Sequence, residues 1–489
     1  MSDAVELPPQ LDLIDGAWVA ADVVRTDAAG ATRWIEHAST GGRVQEQRSS
    51  SADAIERALA ASWRVHDAGV WSSLTGDERA TYLDAMADHL ESAVPKVAAL
   101  ESVESGATIG ITSMLGFILH GAFRLAAAQL RDGLLSTRFE GAAGDVEVER
   151  LGWGPALLLC PWNAPAPMAA HKAASALAAG CPVIIKPPER APHGTASIGE
   201  AAIAAGLPDG VVQILHGGPE VAIVLLEDQR IRCVSFTGGL EGGRAVGHAC
   251  AEGLKPAQLE LGGHGPLVVL DDAEPDQVAQ AAVALLTTLN GQWCRALGRL
   301  LLPESRRGEY LDAVTAALGQ VVLGDPLDPA TQMGPIVHSE HLSMLRGRID
   351  ALVAAGGTVI APTPLPDAAG NWLAPTLIDG LDPSQTVDEI FGPVATVHSF
   401  GTDVEAVALA NGTDYGLEAY VLGADTERAM AVARRIRAGE VKVNGVSPMN
   451  LHLMAPRPAF GLSGLAEEGT AETIEFFSGN RVVGVEGSM

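Results

Sequence analysis

Residues 155–186 hold two apolar runs, Pro155-Ala-Leu-Leu-Leu-Cys160 and Pro182-Val-Ile-Ile-Lys186, separated by an Ala-rich stretch from Ala169 to Ala179. The runs are short and unbroken, as strands buried on both faces are, and the stretch between them has helical composition. Strand, helix and strand in that order predict a parallel pair joined by a crossover. The grammar continues with Val211-Val-Gln-Ile-Leu215, a helical Val221 to Glu227 and Ile231-Arg-Cys-Val-Ser-Phe236. A parallel sheet covered by helices on both faces follows, of the kind that makes a nucleotide-binding lobe. A second series runs through Pro266-Leu-Val-Val-Leu270, Val359-Ile-Ala361, Ala395-Thr-Val-His-Ser-Phe400, Ala419-Tyr-Val-Leu422 and Val441-Lys-Val-Asn444, and predicts a second α/β lobe. Before both, Ser51–Ala68 and Gly76–Leu100 show helical spacing and read as amphipathic surface helices. Met1 to Asp22 and the tail after Phe477 read as extended arms.

A chain of 489 residues exceeds what one hydrophobic core usually organises, which agrees with two lobes. Its 60 acidic against 32 basic residues leave a formal charge of −28, a field that repels phosphodiesters and anionic bilayers, so neither nucleic acid nor a membrane is an expected partner. Cys160, Cys181, Cys233, Cys250 and Cys294 are an odd, widely spaced set without a CxxC pair, and no His cluster has metal-ligand spacing. A reducing cytoplasm and no metal are expected. The N-terminus lacks the basic and apolar regions of a signal peptide, and no uninterrupted apolar run approaches the ~18 residues of a membrane span.

Three segments carry chemistry. In Asn290-Gly-Gln-Trp-Cys294-Arg-Ala296 the thiol follows a turn that can expose it to a cleft, although a lone cysteine is as compatible with an inert, buried role. Gln258-Leu-Glu260-Leu-Gly-Gly263 places an acid inside an apolar segment. Burial there raises a carboxyl pKa and suits it to general-base work, whereas a paired acid at a strand edge would do none. Pro161-Trp-Asn163-Ala-Pro165 is a rigid turn whose amide either donates to a developing oxyanion or only forms the turn.

These segments, in this order, resemble the aldehyde dehydrogenase superfamily of the hydrolytic, NAD(P)-dependent type. So do Ile185-Lys186-Pro-Pro-Glu189, Phe236-Thr-Gly-Gly239, Met333-Gly-Pro335, Glu389-Ile-Phe391-Gly-Pro393, Tyr415-Gly-Leu417 and Ser463-Gly464. The resemblance implies that Cys294 attacks the carbonyl carbon, that its own N–H and Asn163 hold the oxyanion, and that Glu260 activates water to hydrolyse the thioester. Lys172 and Glu468 match positions behind the base that pass its proton onward, or else form an ordinary ion pair. For the cofactor it implies Pro161, Trp162, Thr237, Leu261 and Gly262 around the dinucleotide, Lys186 and Glu189 at the adenosine ribose, and Gly218 and Pro219 beneath the adenine. Phe236, Gly238 and Gly239 would lie at the pyrophosphate, with Glu389 and Phe391 at the nicotinamide ribose. A carboxylate at a 2′-hydroxyl repels a 2′-phosphate, so Glu189 favours NAD over NADP.

The implied fold is α/β: a Rossmann-type NAD-binding lobe (1–127 and 151–262), an α/β catalytic lobe (263–474), and a small β oligomerisation arm (128–150 and 475–489). The arm predicts a homodimer or homotetramer. Phe117, Ile118, His171, Trp293, Arg295, Met454 and Phe460 are expected to line an apolar tunnel for an aromatic or medium aliphatic aldehyde. Arg295 would favour thiolate or recognise a substrate carboxylate, unless it turns inward to an acid. Two departures from the family pattern stand out. Gly239 replaces a Ser, leaving the phosphate to backbone N–H groups, and Pro456-Arg-Pro-Ala-Phe-Gly461 replaces a Pro-Phe-Gly-Gly run at the aldehyde entrance. The competing functional readings are a CoA-acylating relative, against which Glu260 argues, and a non-catalytic structural relative.

Overall fold

Ala156–Leu159, buried at all four positions, lies inside an eight-stranded sheet in the computed structural model, which describes residues 5–487. Val183–Lys186 and Cys233–Thr237 flank it in parallel, and Val212–Ile214 and Ala257–Glu260 extend the sheet on either side. The Ala-rich helix Pro165–Ala178 makes the first crossover, its small side chains letting it lie close on the sheet. Register brings Lys186 opposite Leu159 and Thr237 opposite Glu260, so these side chains gather at the carboxyl ends of the strands, where open α/β sheets bind ligands.

Both edges are closed by antiparallel strands. Gly464–Leu465 pairs with Ala257–Glu260, and Leu11–Ile14 pairs with Val212–Ile214 and with Ala17–Ala20. The described part of the N-terminal segment is therefore no extended arm: Leu13 and Ile14 are each 1% exposed, because a hairpin that seals a sheet edge must bury one face.

A seven-stranded sheet forms the second lobe in the order Thr358–Ile360, Thr376–Asp379, Val394–Phe400, Leu297–Pro303, Gly265–Val269, Glu418–Leu422, Glu440–Val443, parallel except at Thr358–Ile360. Leu297–Pro303 and Thr376–Asp379 were not read from sequence; the first is masked by Gly298 and Arg299, yet is buried throughout. Only Leu261–His264 separates the last long strand of one sheet from the first of the other, and Leu297 lies opposite Gly265. Glu260 and Cys294 thus precede two neighbouring strands and meet at the junction of the lobes.

A third sheet joins Ser136–Phe139, Val146–Gly152 and Ser478–Gly484. The described tail therefore pairs with its own chain. The hairpin occupies residues 136–152, since the helix Ile109–Arg131 continues beyond residue 128. Ala52–Asp67 starts at Ser51, whose side chain accepts from Ala54 N–H, and Gly76–Ser105 starts on a Thr75–Glu78 capping box. Up to residue 99 the latter is amphipathic, with Leu83, Met86, Leu90 and Val97 in the core and Asp88, Glu91 and Lys96 exposed; only its last turn, 100–105, is buried on all sides. Ile109–Arg131 is long and apolar enough to cross a membrane by length and composition. Its apolarity serves two faces, one buried in the cores through Leu115, Leu119 and Phe123, the other presenting Phe117, Ile118 and Leu125 to a cavity.

Candidate active site

The thiol of Cys294 is delivered by a backbone held in an uncommon shape. Leu289, Asn290 and Gly291 all have positive φ (48°, 58° and 68°), which costs roughly 1–2 kcal/mol at Leu289 and less at Asn290, a residue that tolerates this region. Side-chain bonding holds the conformation. Buried Asn290 donates to Gly106 O (2.7 Å) and Pro335 O (2.9 Å) and accepts from Gly334 N–H (2.8 Å), while Gln292 accepts from Val337 N–H (3.0 Å). A Cβ at Gly291 would strike Pro393. The Met333-Gly-Pro335 and Gly392-Pro393 motifs are therefore the clamps of the nucleophile loop. Cys294 is half-buried and lines the cavity, and its N–H has no partner among the described residues. The other four cysteines are buried.

Asn163 donates to Gln292 O (2.9 Å), which binds its turn to the nucleophile loop, and its second amide hydrogen is left for the cavity. The following helix, Pro165–Ala178, has no cap from its own N-cap residue, Ala164. Glu101, reaching from the helix Gly76–Ser105, accepts from Ala166 N–H (2.7 Å) instead. Burial pushes the Glu101 carboxyl up to about 8.

Glu260 ends its strand 7% exposed and lines the same cavity, with Oε1 unpartnered among the described residues. Burial, reinforced by Glu468, pushes its carboxyl up to about 8. The glycines that follow are required by close approach: a Cβ at Gly262 would collide with the Glu389 carboxylate, and one at Gly263 with the Cys294 carbonyl. Burial pushes the Cys294 thiol up to about 12, and Arg295 does not reverse this. Arg295 turns inward, to Glu418 (3.0 Å) and Glu440 (3.6 Å). Of the readings the sequence left open, the inward turn to an acid is the one seen, while the Arg295 charge still favours the Cys294 thiolate without offsetting burial.

Lys172, wholly buried, donates to Ser235 Oγ (2.6 Å), and Ser235 Oγ donates to Gln258 Oε1 (2.8 Å). Burial depresses its pKa, while Glu468 and Glu260 oppose the shift. Glu468 pairs with Arg457 (2.9 Å) and lies 3.6 Å from His171. Burial disfavours the Glu468 carboxylate, but Arg457, His171, Lys172 and Arg295 together hold it at about 2. His171 is pushed down to about 4 by burial and is neutral at physiological pH. Arg457 was not read from sequence as a site residue; its signal was the cation standing in the altered Pro456–Gly461 run.

The residues able to hold a dinucleotide gather at the carboxyl ends of the same strands. The helix Leu240–Glu252 begins at Gly239 without a side-chain cap and with open space beside that glycine, so first-turn N–H groups are free to face a pyrophosphate. Thr237 Oγ1 is buried without a partner among the described residues, and Gly218 with Pro219 starts the helix Pro219–Glu227. Lys186 donates to Gly217 O (2.7 Å) and lies 3.7 Å from Glu189. Although burial opposes it, Lys186, the backbone, Arg25 and Arg190 hold the Glu189 carboxyl below its usual range, as a hydrogen-bond acceptor for a ribose diol requires. Glu389 accepts from Gly263 N–H (2.8 Å), and burial pushes it up to about 7. Phe391, at φ 54°, stacks edge-on against Trp162 (5.4 Å), and His341 Nε2–H donates to this loop at Phe391 O (2.9 Å).

The cavity measures about 170 Å³. Phe117, Ile118, His171, Trp293 and Arg295 line it, as do Leu453 and Arg457. Met454 and Phe460 do not: Met454 turns to Gln129, and Phe460 joins a short strand pairing with Tyr415–Gly416.

The aldehyde dehydrogenase family model matches residues 25–483, and the chain belongs to that family. It is 31% identical to the non-phosphorylating aspartate-semialdehyde dehydrogenase of Halomonas elongata, over 95% of this chain and 93% of that one. Geranial dehydrogenase of Castellaniella defragrans is 30% identical, over 94% and 95%. Betaine aldehyde dehydrogenase of Staphylococcus aureus, solved with NAD+, superposes with a TM-score of 0.90 at 29% identity, covering 98% of this chain and 95% of that one. A variant of aldehyde dehydrogenase C of Pseudomonas syringae, solved with NAD+ and octanal, gives 0.90 at 30%, covering 98% of each.

Proposed function

We propose that this protein oxidises an aldehyde to a carboxylic acid, with NAD as hydride acceptor, through a thioester on Cys294. The observation that carries the reading is convergence on one cavity: a half-buried thiol with a free N–H, the Asn163 amide, and a buried acid with an unpartnered oxygen. A thiol pushed up to about 12 needs a base, and Glu260, at about 8, is the acid facing it that takes a proton near neutrality. The thiolate attacks the carbonyl carbon, and the oxyanion falls to Cys294 N–H and the Asn163 amide. Bound NAD supplies the acceptor for the hydride lost from that carbon. Glu260 first gives up the thiol's proton to solvent and then removes a proton from water; the water oxygen adds to the thioester, and the carbon–sulfur bond breaks to free the acid and the thiolate, which recovers its proton from Glu260. Glu468, held ionised by Arg457, acts as a fixed charge beside Lys172 rather than taking the proton.

The ionised Glu189 supports NAD over NADP, and Lys186, Gly239 and Glu389 would hold the dinucleotide. Phe117, Ile118, Trp293 and Leu453 support an aromatic or medium aliphatic body for the aldehyde. The division into lobes 1–127 with 151–262, and 263–474, and an arm belongs to this proposal; the arm is the sheet of residues 136–152 and 478–484, whose exposed Phe139, Val482 and Val483 support a homodimer or homotetramer. Free thiols support a cytoplasmic setting.

The test is absorbance of reduced nicotinamide with an aldehyde panel, with and without CoA, on wild type and Cys294→Ser. Acid formed from water and lost in the variant is expected. Turnover that requires CoA would overturn the hydrolytic step, and undiminished turnover by Cys294→Ser would overturn the covalent one.

A further inference from the structure

The helix Pro165–Ala178 begins two residues after Asn163 and lacks the usual means of holding its first turn. Its N-cap, Ala164, has no side-chain acceptor, and Pro165 has no N–H to give. The first N–H that needs a partner is that of Ala166, and Glu101 Oε1 takes it at 2.7 Å. Glu101 is 2% exposed and comes from the buried last turn of the helix Gly76–Ser105. Its carboxyl is hemmed in from the far side: a Cβ on Gly194 would come within 2.9 Å of the same oxygen.

The same turn reaches the nucleophile loop. Its helix stops at Gly106, at φ 78°, packed so closely on Pro335 that a Cβ would strike Pro335 O. Gly106 O accepts from Asn290 Nδ2 (2.7 Å), the side chain that clamps the loop of Cys294. Residues 101–106 therefore grip the Asn163 turn by one atom and the Cys294 loop by another, and Asn163 Nδ2 joins the two directly at Gln292 O (2.9 Å). The two donors to the oxyanion come from segments far apart in sequence. Their separation must be held closely, since a misplacement of about 1 Å costs on the order of 10²-fold in rate.

Resting on the dehydrogenase reading above, we propose that Glu101 is a positioning residue for the oxyanion: by holding Ala166 N–H it sets the Asn163 amide at the distance from Cys294 N–H that the developing charge requires. Glu101 itself does not line the cavity, so it acts only through Asn163.

The experiment is a double-mutant cycle, read as the rate constant for forming reduced nicotinamide in a single turnover with NAD saturating. Glu101→Leu fills the space but offers no acceptor, strands Ala166 N–H, and is expected to slow this step by at least about tenfold. Asn163→Ala removes the donor itself and should slow it by about 10²–10³-fold. Adding Glu101→Leu to Asn163→Ala should then change the rate by no more than about twofold, because the group that Glu101 positions is gone. Glu101→Gln keeps an acceptor oxygen and should stay within about threefold of wild type, and NADH binding followed by fluorescence should be the same in all four proteins. A lost helix cap with no link to Asn163 would lower the thermal midpoint and slow both backgrounds by the same factor. Equal factors in the two backgrounds, or Glu101→Leu within about twofold of wild type, overturn the inference. If Glu101→Leu does not fold, Glu101→Asp, which withdraws the carboxyl by one methylene, takes its place under the same two criteria. Asn163→Ala without effect would overturn the oxyanion assignment of the dehydrogenase reading, whereas additive factors refute this inference alone.

Discussion

The nucleophile loop and the cavity wall at residues 448–457 face each other across the same space and are built on opposite principles. The loop is a backbone device. Its left-handed residues, the close approach of Gly263 to Cys294 and the three bonds of Asn290 leave it one conformation. The wall is a side-chain device: Met449, Asn450, Leu453 and Arg457 come from a segment with little regular structure, tied down through Asn450 and Glu468. The reacting atoms are thus placed by what varies least under substitution, and the substrate is met by what varies most. Chemistry and specificity can change separately when they are divided in this way.

Substitutions should divide along the same line. Cys294→Ser should lower kcat/KM by at least about 10³-fold in the nicotinamide assay, since a serine hydroxyl in this buried setting is a far weaker nucleophile. Glu260→Gln should lower steady-state turnover by about 10²–10⁴-fold yet keep a burst of one reduced nicotinamide per site in rapid-mixing experiments, slower than in the wild type because the thiol also loses its base, since hydrolysis is the step that depends on Glu260 most. A lost burst would move Glu260 to the acylation step alone.

Asn290→Ala touches no substrate. It strands three buried partners and puts Ala at a left-handed φ, so the thermal midpoint should fall and kcat/KM should drop by about 10²-fold as the thiol is misplaced. Unchanged values would mean that the loop does not depend on its clamps. Wild-type kcat should rise with pH through about 8 if deacylation limits it, as Glu260 loses its proton and becomes the base, and Glu260→Gln should lack that limb. At the small end, Met454→Ala and Phe460→Ala should change kcat/KM by no more than about twofold, since neither lines the cavity. A tenfold effect from either would restore the wall expected from sequence.

Much of the loop was legible before any coordinates. The apolar runs at 155–160, 182–186 and 231–236 read as buried parallel strands, and Gly291-Gln292 after a helical stretch marked a chain able to expose the Cys294 thiol. The wall was harder to read, because which residue of Pro456-Arg-Pro-Ala-Phe-Gly461 faces inward depends on pairing with Glu467–Glu468, a contact that local periodicity does not encode. Arg295 was ambiguous for a similar reason: Glu418 and Glu440 lie more than a hundred residues away in sequence and become its partners only when their two strands pair side by side. Glu101 gave no signal at all, being an acid in a helix whose depth was underestimated.

The central claim is that the acyl group rests on Cys294 and waits for Glu260. It is tested most directly by mixing Glu260→Gln protein with aldehyde and NAD, quenching with acid, and mapping the digest by mass spectrometry. An acyl adduct at near one per chain on the peptide containing Cys294, absent without NAD, is the predicted result. Full production of reduced nicotinamide with no adduct, or with the adduct on another cysteine, would contradict it.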